Sequence, residues 1–226
     1  MIETSQRWKK LCPGAVVGLL VMRGVKNPDH DEELDRLGEK TVSGLRERFS
    51  EGGKQALRAH PVMAAYEGYY KSFRKTYHVA LQLESVIWKG RGIPSVSAIV
   101  KAMFMAELTN MLLTAGHDLG KISLPLSLDV GSDAETYAAL GGGELRTVKD
   151  GDMMIADASG IISSIIGGPD QRTSISAETK DLLFTVYAPP GIGRDRVRAH
   201  LEDLQGLVNV VAPEAARELM EICAAD

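Results

Sequence analysis

Only two cysteines occur among the 226 residues, Cys12 and Cys223, at opposite ends of the chain. This excludes a disulfide framework and any paired-thiolate zinc site, and it suits a reducing cytoplasm. Aromatic residues are scarce at 5%. The core must therefore rest on Leu, Ile, Val, Met and Ala, whose burial stabilises by roughly 1.5–3 kcal/mol per large side chain. Long apolar runs are missing too. The longest near the start, Ala15 to Met22, falls well short of the ~18 residues of a membrane span, and no basic and apolar leader precedes it. No membrane association or export is expected. Gly141 to Gly143 and Gly167–Gly168 lack the spacing and the lysine of a phosphate-cradling loop. The histidines His30, His60, His78, His117 and His200 include no pair at metal-ligand spacing, and no Gly-x-Ser-x-Gly elbow occurs. Neither a metal nor an organic cofactor is implied.

Hydrophobic residues make up 44% of the chain and charged residues 25%, the balance of an ordinary globular protein. The length fits one large domain, 1–226. A net charge of −4 argues against a protein that coats DNA, because such binding depends on neutralising phosphates. The average conceals an asymmetry. Between Lys54 and Lys101 stand eight cations against only Glu67 and Glu84, so the rest of the chain is strongly acidic. A basic face on an acidic protein suits a polyanionic partner, and equally a solvated helix surface.

Gly14 to Val25 reads as a buried strand, and Asp29 with Glu32 starts an amphipathic helix carrying Leu34, Leu37, Val42, Leu45 and Phe49. Pro61 opens a helix with Val62, Ala65, Tyr66, Tyr69, Tyr70, Phe73 and Tyr77 along one face. Core packing is the plainer reading of that stripe and base stacking the rival one. Val79 to Trp88 and Val96 to Leu113 are further helical segments. After Gly116 the pattern changes to short strands over 122–130, 137–140, 153–157, 161–166 and 182–188. A helix over Arg194–Leu204, a strand over Leu207–Val211 and a last helix from Pro213, carrying Ala216, Leu219, Met220 and Cys223, complete the expectation. The fold class is α+β, a helical N-terminal half packed on a mixed, mostly antiparallel sheet half.

Two segments set polar groups beside apolar sequence. In Thr114-Ala115-Gly116-His117-Asp118-Leu119, His117 stands where a long helix gives way to the sheet half, and an imidazole can donate or accept near neutral pH. In Gly167-Gly168-Pro169-Asp170-Gln171-Arg172-Thr173, paired glycines permit close backbone approach, and Arg172 and Thr173 could hold a carboxylate, ester or phosphate. A capping or core histidine and a long turn between strands are the bland alternatives.

Together with Lys89-Gly90-Arg91-Gly92-Ile93-Pro94, Glu178-Thr179-Lys180 and the opening Cys12-Pro13-Gly14 to Arg23-Gly24-Val25, these segments form an ordered set. The set resembles the B3/4 domain family over roughly Pro13 to Pro190. That family includes the tRNA-binding and editing module of the phenylalanyl-tRNA synthetase beta subunit and free-standing relatives. The resemblance implies a pocket at the helix and sheet junction and hydrolysis of a misacylated tRNA ester. It matches His117, as the catalytic group, to the family's pocket histidine and Gly167 and Gly168 to the glycines of its amino-acid site; the residues themselves add Gly116, Arg172 and Thr173 to that pocket and Lys71, Arg74, Lys75, Lys89 and Arg91 to tRNA phosphates. Thr185 stands where the editing enzymes have the glutamate that recognises a tyrosine hydroxyl. Ser97, Ala98 and Lys101 replace an asparagine-rich helix start. The alternative function is a non-catalytic pocket for a free amino acid or small metabolite, since a fold hosts many activities; an interaction module is a third.

Overall fold

The computed structural model describes residues 2–94, 96–142 and 145–226. The chain opens with β1 (Ile2–Thr4), α1 (Gln6–Leu11) and β2 (Val16–Arg23), then five helices: α2 (Glu32–Arg48), α3 (Gly53–Ala59), α4 (Pro61–Ser72), α5 (His78–Trp88) and α6 (Ala98–Asn110). Strands follow: β3 (Thr114–Asp118), β4 (Leu126–Val130), β5 (Thr136–Ala138), β6 (Leu145–Thr147), β7 (Met153–Asp157), β8 (Gly160–Ser164), β9 (Gly168–Pro169) and β10 (Asp181–Ala188). Helix α7 (Arg194–Val211) and β11 (Ala216–Ala224) close the chain. The fold is α+β.

One sheet runs β11-β2-β10-β3 and is antiparallel throughout; a second runs β1-β4-β7-β8-β9, with only β1 and β4 parallel. A short β5–β6 hairpin forms a third sheet and is tied to the end of the second through an Ala139–Asp170 bridge. Residue Gly18 of β2 faces α7 so closely that a Cβ there would stand 2.6 Å from Val197 Cγ1. On the other side of the first sheet, the Tyr187 hydroxyl of β10 meets Ser163 Oγ of β8 at 2.6 Å. Helices thus cover one face of that sheet and the second sheet covers the other.

Helix α2 starts where Asp31 accepts the Leu34 N–H at 2.8 Å, with Glu32, Glu33 and Asp35 in the first turn to complement the helix dipole. Helix α4 stops at Ser72 rather than continuing to Tyr77. Arg74 takes a left-handed conformation (φ 56°) and the Lys75 N–H returns to the Tyr70 carbonyl at 2.9 Å, the bond that closes many helix C-termini. The aromatic stripe is core: Tyr66, Tyr70 and Tyr77 are buried, and the Tyr66 and Tyr77 rings stack 4.3 Å apart.

Their hydroxyls clamp main chain. Tyr66 Oη donates to the Tyr187 carbonyl and accepts the Leu113 N–H (2.9 Å), Tyr77 Oη donates to the Met111 carbonyl (3.0 Å), and Tyr70 Oη donates to the Ile165 carbonyl (3.0 Å).

The C-terminal expectations are corrected. The expected strand 207–211 is the end of α7, because Val197, Leu201, Leu204, Val208 and Val211 are buried at helical spacing. The expected last helix is β11, which pairs along β2 from Ala216 opposite Arg23 to Ala224 opposite Val16. An irregularity between Arg217 and Leu219 shifts the register, which breaks period-two alternation and leaves a pattern that mimics a helix. Strand β1 and helix α1 have no counterpart in the expectation.

Replacing Tyr66 by Phe strands the Leu113 N–H and the Tyr187 carbonyl without partners. A loss of roughly 2–3 kcal/mol is expected, read as a lower urea midpoint at unchanged slope; an unchanged midpoint would show the clamp to be dispensable.

Candidate functional site

A cavity of about 580 Å³ lies where α6, the edge strand β3, Tyr187 of β10 and the segment from Gly168 to Ile175 meet. Its walls are largely apolar, with Val100, Met103 and Phe104 from α6 and Ile175 opposite. Gly116 lets these walls close: a Cβ there would lie 2.8 Å from Ile175 Cδ1 and 3.1 Å from Met103 Sδ. Polar groups enter from Glu107, Gln82, Ser164, Tyr187 and the solvent-exposed His78. No Lys or Arg lines the cavity among the described residues.

Glu107 is 1% exposed; its Oε2 accepts the Thr114 N–H at 2.9 Å, and its Oε1 has no partner. Burial pushes its carboxyl up to about 8, against which the Thr114 N–H acts in the lowering direction. Near pH 7 the group is therefore mostly the neutral acid. Gln82 Oε1 is a second buried acceptor without a partner in the same lining. Buried polar atoms of this kind are uncommon in folded proteins.

Of the residues selected from sequence, the structure brings Gly116 and Gly168 to this cavity and leaves the others elsewhere. His117 follows Gly116 on β3 and lies opposite Leu183 of β10, on the sheet face that Ala115 and Tyr187 share, but the cavity lining on this strand ends at Gly116. There it is fully buried, with Nδ1 2.7 Å from Thr173 Oγ1. The Thr173 hydroxyl gives its single proton to Asp170, so it accepts from His117 Nδ1–H and leaves Nε2 bare; Nε2 has no partner. Burial, assisted by nearby Arg172, pulls the imidazole down to about 3. The expectation that His117 shares a cavity with Gly167 and Gly168 is not met, because the ring packs between the sheets.

Arg172 holds Asp157 with two bonds of 2.9 and 3.0 Å and donates to the Lys121 carbonyl at 2.9 Å, which occupies its guanidinium. Thr173 is engaged by His117 and Asp170. Gly167 is required by packing, since a Cβ there would fall 2.1 Å from Tyr137 Oη. Its neighbour Gly168 has φ 78°, a conformation that favours glycine, and its carbonyl accepts from Tyr137 Oη at 2.8 Å.

Two grooves flank the cavity. Ser164 is shared with a groove of about 420 Å³ bearing Lys75, Arg146 and Lys149, and His78 and Gln82 are shared with one of about 290 Å³ bearing Arg91. Lys71, Arg74 and Lys89 are exposed but line neither. None of Lys71, Arg74, Lys75, Lys89 and Arg91 is in an ion pair among the described residues. Lys54 and Arg58, by contrast, are committed to Glu84.

Sequence reasoning passed over Glu107, although it is the only charged residue between Lys101 and Asp118. A solitary carboxyl in an apolar helix was the available signal. Arg146 and Lys149 carried no comparable one.

No family model matches the chain, and no curated protein matches it. Among solved structures, a crystal structure of an N-terminal fragment of the phenylalanyl-tRNA synthetase beta subunit from Pyrococcus horikoshii is similar at a TM-score of 0.49 and 12% identity, over 98% of this chain and 50% of that chain. The chain thus spans half the length of that fragment. Among the described residues, no helix is long and apolar enough to cross a membrane, and no group of three or more His, Cys, Asp or Glu side chains could hold a metal ion.

Glu107 binds more protons in the folded than in the unfolded protein between its ordinary carboxyl range and about pH 8. Its contribution to stability therefore falls as pH rises through that window. The stability of wild type relative to Glu107→Gln should decline from pH 5 to pH 8, by at most about 1.4 kcal/mol per pH unit. Parallel urea titrations of the two proteins at pH 5, 6.5 and 8 check this, and a pH-independent difference would contradict it.

Proposed function

We propose that the chain is a tRNA-binding protein of the B3/4 type, acting as one domain, whose cavity receives the aminoacyl end of a charged tRNA. The observation that carries this reading is the placement of cations: exposed ones flank the cavity in two grooves, and none lies within it among the described residues. A free amino acid would bring its carboxylate into a lining without a cation, where an unpaired charge is costly. An aminoacyl ester brings a carbonyl in place of that carboxylate, while the nucleic acid to which it is joined needs cations only outside. This favours the ester over the free amino acid, and the apolar walls suit an apolar side chain. Lys75, Arg146 and Lys149 on one side and Arg91 on the other meet phosphates, with Lys71, Arg74 and Lys89 adding to the field.

His117 is fully buried outside the cavity lining with its Nδ1 committed to Thr173, so a deacylation step would draw on the groups that do line the cavity, Glu107, Tyr187 and Ser164. An aminoacyl ester is activated, and positioning a water beside hydrogen-bond donors supplies much of the acceleration such a reaction needs.

Two measurements test the reading. Affinity for charged tRNA should fall steeply with salt, and Lys75→Ala, Arg146→Ala and Lys149→Ala together should flatten the slope of log K against log salt by about 0.7–0.9 for each phosphate no longer neutralised. Unchanged affinity and slope in the triple variant would remove the nucleic acid from the proposal. In a panel of mischarged tRNAs, any deacylation should survive His117→Gln at near wild-type rate in protein that remains folded; a selective loss would return the catalytic role to that histidine.

A further inference from the structure

We propose that the cavity recognises a primary ammonium group on an apolar ligand, and that Glu107 is its counter-ion. This rests on the cavity being a ligand site, as proposed above, but not on the ligand being attached to tRNA. Glu107 and Gln82 both line the cavity, and Glu107 Oε1 and Gln82 Oε1 are buried without a partner. An orphaned acceptor in an apolar setting costs about 1–3 kcal/mol, so a ligand that supplies donors recovers what the empty cavity forgoes. An ammonium carries three donors and a positive charge, whereas a hydroxyl carries one donor and none.

Among the described residues, no Lys or Arg lines the cavity beside Glu107. Tyr66 and Tyr70 from α4, and Tyr77 from the turn before α5, face it electrostatically, and burial raises the pKa of each. From α5, β10 and α7 come His78 and Tyr187, which share the lining, and His200, which reaches Thr114 Oγ1 at 2.8 Å. Burial pulls His200 down to about 3, so it is neutral at physiological pH.

The carboxyl is mostly protonated near neutrality. An incoming ammonium converts it to carboxylate, and the proton leaves to the solvent: carboxylic acid plus ammonium gives the carboxylate–ammonium pair plus one proton. No bond to carbon changes. Binding should accordingly strengthen with rising pH below the carboxyl's own pKa and level off above it.

The test uses the full chain with 2-phenylethylamine and its uncharged counterpart 2-phenylethanol, titrated calorimetrically at pH 7 in two buffers of different ionisation enthalpy. The expected result is at least tenfold tighter binding of the amine, with release of close to one proton per ligand and an affinity that rises severalfold between pH 6 and pH 7.5. Glu107→Gln should abolish the amine preference and the proton release. The proton count is read on the wild-type protein, so the inference stays testable if that variant does not fold. Equal binding of amine and alcohol, or an amine preference that persists in Glu107→Gln, overturns the assignment while leaving the cavity as a ligand site. Binding of neither probe also overturns it; the proposed function falls with it only if charged tRNA fails to bind as well.

Discussion

The Tyr66 hydroxyl, held between the Leu113 N–H and the Tyr187 carbonyl, is the constraint on which the rest of the molecule depends. It joins helix α4 to the chain entering β3 and to the end of β10. Close by, Tyr77 holds the Met111 carbonyl, and Met111 itself takes a left-handed conformation (φ 62°) to turn the chain out of α6. With that corner held, Glu107 on α6 and Thr114 on β3 are brought back to back within hydrogen-bond distance. The cavity is what remains open between α6 and the sheet edge once the corner is closed.

Aromatic residues are few here, and the buried tyrosines serve as rigid posts with polar ends. A phenylalanine stripe would fill the same space but leave the main-chain groups of the corner unpaired. This explains how an aromatic face at core periodicity organises the fold without being a stacking platform. The apolar body of each ring packs against helices, and each hydroxyl reaches a specific carbonyl or N–H.

Long elements of regular period were legible in the sequence: β2 from its continuous apolar run, α2 from its acidic start, α4 from its proline and stripe, and the change to strands after Gly116. What escaped depended on distant partners. Strand β11 reads as a helix because a register shift disturbs its alternation, and only pairing with β2 makes it a strand. The end of α7 reads as a strand because a short apolar run has no period of its own until Val197 and Leu201 are counted with it. At the site, both polar segments were found, but where along β3 the cavity ends was not. Thr114, Ala115 and Gly116 line it from both faces of the edge strand, and His117, one residue further on, is held by Thr173 outside it. The network of His117, Thr173, Asp170, Arg172 and Asp157 instead fastens the 170–173 segment to the underside of the sheet. Residues whose types suggested ligand chemistry are there satisfying one another.

The charges at the site fall into two classes that obey different physics. The cations of the flanking grooves are exposed, so mobile ions screen them over roughly 8–10 Å at physiological salt and their influence weakens as salt is added. Glu107 lies where solvent ions do not reach, so its charge state answers to pH and to whatever occupies the cavity, and only slightly to ionic strength. Salt and pH therefore act on separate parts of the same region, the one on the exposed cations and the other on the buried carboxyl. On the proposed function, this division would let the protein hold a phosphate backbone loosely and still discriminate at the cavity, because loosening the outer contacts does not alter the energy of the buried one.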